Sequence, residues 1–215
     1  GREQLGEGAN LLNVSELSER TIETLTDMIH NIWHYFLYLY GLFLDSLSVC
    51  DNNNRLSTLS INKTQFPSQY LGRWYFLAAA AIPGTTSLET FTVMDNAEFS
   101  VRQCREEEKL DFRAAIRIKD GPCVPRKWIY LLPEGSIELR TEGHPDRLTQ
   151  LFPPRCPHCV ILKETDNSYA RLLLYSRTPQ LEEEFMEEFK KKSSCEGYTD
   201  ILTLPQQQDY CQIED

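Results

Sequence analysis

The sequence predicts an all-β domain: an eight-stranded antiparallel up-and-down barrel, with a C-terminal helix packed outside it and an apolar N-terminal helix ahead of it. Three features carry that reading. From Leu71 onward, short strand-like runs recur between turn signals, the spacing of a barrel or sandwich. Asp120-Gly121, Glu134-Gly135 and Asp166-Asn167 make turns short enough to join sequence neighbours as hairpins. A single helical pattern comes after the strands. Eight strands closed on themselves leave an interior just large enough for one small ligand.

Taken in order, residues 1–27 are polar, with Leu and Ile at helical spacing that permit a weak amphipathic helix. They read as an upstream extension, because Met28 is the natural initiator of the apolar segment after it. That segment, residues 28–49, is nearly all Leu, Tyr, Phe and Trp over 32–44, broken only by His34 and Gly41. No Lys or Arg interrupts it. The segment is short for a full bilayer span and reads as a signal peptide or a retained hydrophobic anchor. Residues 50–215 are the barrel domain. It opens with a polar loop at 51–57, and Asn62-Lys63-Thr64 is a glycosylation sequon on a surface segment.

Strands are expected at 72–80, 97–103, 110–119, 124–132, 136–142, 147–152, 160–164 and 169–177. A helix is expected from 179 to about 192, with Leu181, Phe185, Met186 and Phe189 on one face and glutamates on the other. A last short strand at 201–204 leads into the tail that holds Cys211.

The net charge of −10, with no long basic run, excludes nucleic acid and anionic membrane surfaces as general partners. Seven cysteines point to an oxidising compartment, and their odd number leaves at least one thiol without an internal partner. Cys156-Pro157-His158-Cys159 has the spacing of a thiol oxidoreductase. That chemistry needs a helix N-terminus at the first cysteine, whereas Pro153 and Pro154 precede it here and Val160-Ile161-Leu162 follows as a strand. The enzyme is therefore the minor alternative. No other catalytic spacing, metal cluster or cofactor motif stands out, and four scattered histidines do not make a zinc site.

The binding chemistry centres on residues 123–130. As a strand they place Arg126, Trp128 and Tyr130 in one row, so that a guanidinium can grip an anionic head while two amphipathic rings border an apolar tail.

Gly72-Arg73-Trp74-Tyr75 in the first strand, Thr165-Asp166 with Tyr169 between the last two, and Arg177 after them resemble the signatures of the lipocalins. In that family the Trp and Arg stack at the closed end of the barrel, which implies structural roles for Gly72, Trp74 and Arg177. Lys119-Asp120-Gly121 through Cys123-Val124-Pro125-Arg126-Lys127-Trp128-Ile129-Tyr130, with Leu139-Arg140-Thr141-Glu142-Gly143 and the Trp33-containing N-terminus, is more closely similar to the apolipoprotein M family. That resemblance implies a secreted monomeric plasma carrier on lipoprotein particles. It would bind sphingosine-1-phosphate in its barrel and keep its signal peptide as a lipid anchor.

By position, the resemblance implies that Arg126 and Trp128 hold the phosphate, Glu164 and Tyr130 the amino group, and Tyr175 the hydroxyl. It also implies disulfides between Cys50 and Cys195 and between Cys123 and Cys211. The turns near Asp120, His144 and Asp166 open on one end of such a barrel, so Arg126, His144 and Glu164 ring one mouth. Three positions depart from the family pattern. His144 stands where the family has a second phosphate-binding Arg. Lys163-Glu164-Thr165 replaces the family's sequon, which leaves Asn62 as the glycan acceptor. Phe185 replaces the cysteine that would pair with Cys156, and Cys104 and Cys159 are additional, so these three cysteines stay unassigned. The other cargo that suits such a barrel is a retinoid or fatty acid. It is disfavoured because it would leave Glu164 as an uncompensated buried charge.

Overall fold

The structure, a computed structural model, describes residues 8–48, 50–106 and 108–213. It divides into two compact units, Gly1–Val49 and Cys50–Asp215. The first is one continuous helix, α1 (Gly8–Ser48), where the sequence suggests a polar extension and a separate apolar segment. Nothing between Ala9 and Tyr40 is Pro or Gly, so no residue there interrupts the helical ladder. Residues 1–7 of the expected extension, and Val49 at the end of the expected apolar segment, lie outside the described residues. Apolar side chains are exposed along α1 from Ile22 to Leu44, including Ile29 at 65%, Trp33 at 61% and Tyr38 at 63%. Among the described residues no helix is long and apolar enough to cross a membrane.

The second unit is a closed barrel of eight antiparallel strands: β1 (Gly72–Ala81), β2 (Met94–Gln103), β3 (Lys109–Ile118), β4 (Cys123–Leu131), β5 (Glu138–Thr141), β6 (His144–Phe152), β7 (Cys159–Thr165) and β8 (Ala170–Ser176). Each strand pairs with the next, and β1 closes the sheet against β8. On its other edge β1 pairs with β2 through Gly72–Phe76. Beyond that point a ninth strand, β9 (Asp200–Thr203), takes over along Ala78–Ala81.

A bulge between Phe76 and Ala78 shifts the side-chain alternation by one. Trp74 and Phe76, and then Ala79 and Ala81, belong to the barrel interior. Leu77, Ala78 and Ala80 face outward, in one cluster with Ile161, Leu174 and Phe189. Phe189 lies on α2 (Glu183–Cys195). This helix starts four residues after the expected Pro179 because Glu182 is still extended, and the Thr178 hydroxyl donates to the Gln180 carbonyl at 2.9 Å in the preceding turn. β5 is shorter than expected because the Ser136 Oγ accepts from Glu138 N at 3.0 Å and keeps 136–137 off the strand ladder. β6 starts three residues early, at His144, because Gly143 takes φ +79° and closes a tight β5–β6 hairpin.

Three disulfides brace this unit. Cys50 bonds Cys195 on α2, and Cys123 bonds Cys211 in the tail, the two pairs that the family resemblance implies. Cys156 bonds Cys159, which assigns two of the cysteines the sequence left open, and Cys104 remains a free thiol. The Cys156–Cys159 bridge is buried, at 2% and 6% exposure, and Cys159 opens a strand. An oxidoreductase needs an accessible thiol at a helix N-terminus, and this site lacks both.

At the closed end, the Arg177 guanidinium carbon lies 3.7 Å from the Trp74 ring centroid. Its Nη1 donates to the Arg73 carbonyl at 2.7 Å, and its Nη2 to the Gln69 carbonyl at 2.9 Å. Gly72 has φ +91°, and a Cβ there would come within 3.4 Å of Arg177 Nη1. Removing the guanidinium leaves two carbonyls and an indole face without their partner. Arg177→Met should therefore cost about 2 to 3 kcal/mol in urea unfolding. An unchanged unfolding midpoint would remove this cluster from the account of barrel closure.

Candidate ligand-binding cavity

The β3–β4, β5–β6 and β7–β8 turns all lie at the other end of the barrel, which opens into a cavity of about 700 Å³. All six residues expected from the sequence line it: Arg126, Trp128, Tyr130, His144, Glu164 and Tyr175. Alternation along β4 places the first three at successive depths. Arg126 is exposed at the rim, Trp128 is half-buried against Phe112 with ring centroids 4.8 Å apart, and Tyr130 is buried. His144 is exposed at the β5–β6 hairpin. Tyr175, on β8, packs edge-on to Phe99 at 5.1 Å and against Phe76 at 5.2 Å.

Below Tyr130 and Tyr175 lies a smaller apolar space of about 40 Å³, bordered by Trp74, Leu139, Val160 and Leu162. The two tyrosines line both spaces and form the floor of the upper one. Burial pushes both phenols above their ordinary pKa, and the nearby Glu164 charge adds to the effect. They are therefore neutral hydrogen-bond donors at neutral pH. Thr141 also lines the upper space, its hydroxyl buried and without a hydrogen-bond partner among the described residues.

Glu164 is not the lone charge that the sequence suggested. Arg171 stands directly opposite it across the β7–β8 pair and binds it through Nε at 2.9 Å and Nη2 at 2.8 Å. Both bonds land on Oε2. The same guanidinium sits 4.2 Å from the Tyr169 centroid and 4.5 Å from that of Phe91. The expectation that a carboxylate here demands a cationic cargo is therefore corrected, because the protein supplies the counter-charge itself. Arg171 and Arg147, both lining the cavity, were not singled out in the sequence. The available signal was alternation: Arg147, Thr149 and Leu151 form one row of β6, with Leu151 in the interior cluster.

Among the described residues, the group with metal-ligand spacing is Cys156, His158 and Cys159, and both of its sulfurs are committed to the disulfide.

A family model described as the ApoM domain matches residues 28–215. Apolipoprotein M of Rattus norvegicus is 44% identical over 188 residues, covering 86% of this chain and 98% of the relative. Apolipoprotein M of Mus musculus is 43% identical over the same length and coverage. Among solved structures, siderocalin Q83, also described as a lipocalin, superposes with a TM-score of 0.56 at 20% identity, over 68% of this chain and 95% of its own. At that identity the likeness concerns the fold alone. With the family model spanning most of the chain and its relatives aligned over nearly their whole length, the chain belongs to the ApoM family and is a non-enzymatic lipid-binding carrier of lipocalin fold.

Proposed function

We propose that this chain carries sphingosine-1-phosphate, or a lipid of the same head chemistry, as a secreted monomer held on lipoprotein particles by α1. The order of groups down the cavity is the observation that carries this reading. Arg126 stands at the rim, Glu164 is buried with Oε1 outside both Arg171 bonds, and Tyr130 and Tyr175 form the floor, with the small apolar space beneath them. Sphingosine-1-phosphate presents a phosphate, an ammonium, a hydroxyl and an alkyl tail in the same order. The planar fork of Arg126, with the Trp128 ring, meets the phosphate, while Glu164 Oε1 and Tyr130 take the ammonium and Tyr175 the hydroxyl. His144 adds a polar group at the rim.

The wider setting has its own support. Apolar side chains exposed along α1 suit insertion into a lipid monolayer, the disulfides suit an extracellular compartment, and Asn62 is an exposed sequon residue suited to a glycan. The Arg171–Glu164 pair favours a second reading. Because Glu164 is compensated without cargo, a fatty acid or retinoid also fits the barrel.

Comparative titration by tryptophan quenching separates the two. Sphingosine-1-phosphate should bind well above both sphingosine and palmitate, and Arg126→Ala should cost about 1.5 to 3 kcal/mol for the phosphorylated lipid only. Equal binding of all three lipids would overturn the cargo. Deleting residues 1–49 should release the protein from lipoprotein fractions and leave lipid affinity within about threefold, as flotation and titration of the shortened chain would show. A plasma form whose first residue is Cys50, still on the particles, would contradict the anchor.

A further inference from the structure

The mouth carries several cations, and the structure divides them by how far their donors are already used. Arg171 is fully engaged: Nε and Nη2 bind Glu164, and Nη1 points to the Ser87 carbonyl at 3.4 Å. Lys127 lies in the other row of β4 from Arg126 and stands 3.8 Å from Asp111. His144 offers separate ring nitrogens in place of a planar fork. Arg126 uses Nη1 on the carbonyl of its own neighbour, Pro125, at 3.0 Å.

Arg147 is held differently. Its Nε donates to Asp166 Oδ2 at 3.1 Å, and its side chain is only 31% exposed. Asp166 accepts from the Asn167 amide through Oδ1 at 2.6 Å, and Asn167 Nδ2 reaches back to Asp146 Oδ2 on β6 at 3.0 Å. This chain of bonds latches the β7–β8 hairpin to β6 and fixes Arg147 at a position that lines the cavity. The Asp166 bond is made through Nε, the guanidinium carbon lies 5.7 Å from the Tyr169 ring centroid, and Arg147 lines the same space as Arg126 and Glu164.

We propose that Arg147 is a second phosphate-binding residue of this carrier, opposing Arg126 across the mouth. The proposal rests on the phosphorylated cargo above. A phosphate monoester has three acceptor oxygens and close to two negative charges, more than one guanidinium fork satisfies. The second fork comes from β6 three residues beyond His144, so the position where the family pattern has its Arg need not supply it. Asp166 holds Arg147 ready and competes with the phosphate for it.

The test uses the full disulfide-bonded chain and tryptophan quenching with two probes, sphingosine-1-phosphate and sphingosine. Arg147→Gln should weaken the phosphorylated lipid about ten- to a hundredfold and sphingosine by less than about threefold. Arg147→Lys should recover part of the loss, because it restores charge without the fork. The double variant His144→Arg/Arg147→Gln should recover it as well, since a fork at either β6 position reaches the mouth. Asp166→Asn leaves Arg147 in place and removes its competitor, so the preference for the phosphorylated lipid should rise at least about threefold.

A wild-type preference lost in Arg126→Ala but kept in Arg147→Gln would leave the cargo standing and overturn the role of Arg147. So would equal loss of both lipids in Arg147→Gln, or an Asp166→Asn preference that stays level or falls. No wild-type preference at all would overturn cargo and proposal together.

Discussion

Strand β1 has to satisfy three neighbours at once. One of its edges belongs to β8, and the other is shared between β2 at the closed end and β9 at the open end. Its inner face forms barrel wall while its outer face lies in one cluster with α2. A strand buried on both faces reads as an unbroken apolar run, which is what Phe76 to Ala81 is. The four consecutive alanines keep the wall thin where β9 joins, and the bulge after Phe76 lets the larger side chains before it and the alanines after it both meet the interior. Closure of the sheet, and with it the cavity, depends on this one strand.

The interior then has to hold charge. A carboxylate as buried as Glu164 is costly unless paired, and Arg171 pairs it from the directly opposed position on β8 while resting between Phe91 and Tyr169. Arg147 and Asp166 repeat the arrangement closer to solvent, and burial is shallower there. The two pairs differ in what remains open. The inner one leaves a carboxylate oxygen, the outer one leaves a guanidinium fork, and an amphiphile with adjacent opposite charges complements both.

Much of this was legible in the sequence. Hairpin turns with Gly or Asn set the strand order, and alternation in residues 123–130 picked out Arg126, Trp128 and Tyr130 as one row. Motif similarity, rather than any spacing rule, carried Glu164 and Tyr175. The misses have a common cause: they involve partners that only pairing brings together. Arg171 meets Glu164 through strand register across a hairpin, and Arg147 on β6 meets Asp166 in the turn just after β7. The Cys156–Cys159 bridge was missed because a turn of that length fits a catalytic pair as well as a structural one, and burial decides between them. The late start of α2 reflects a helix pattern that continues into residues where side-chain bonds hold an extended turn.

The position of β1 also sets when the protein can work. It leaves the ribosome before the strands that complete it, since β8 ends at Ser176 and β9 at Thr203. Until those residues emerge, the barrel is an open sheet with apolar faces and no enclosed space. Pairings this distant in sequence form slowly and leave edges exposed meanwhile. A cargo can therefore load only after the chain through Ser176 has emerged and β8 has paired with β1.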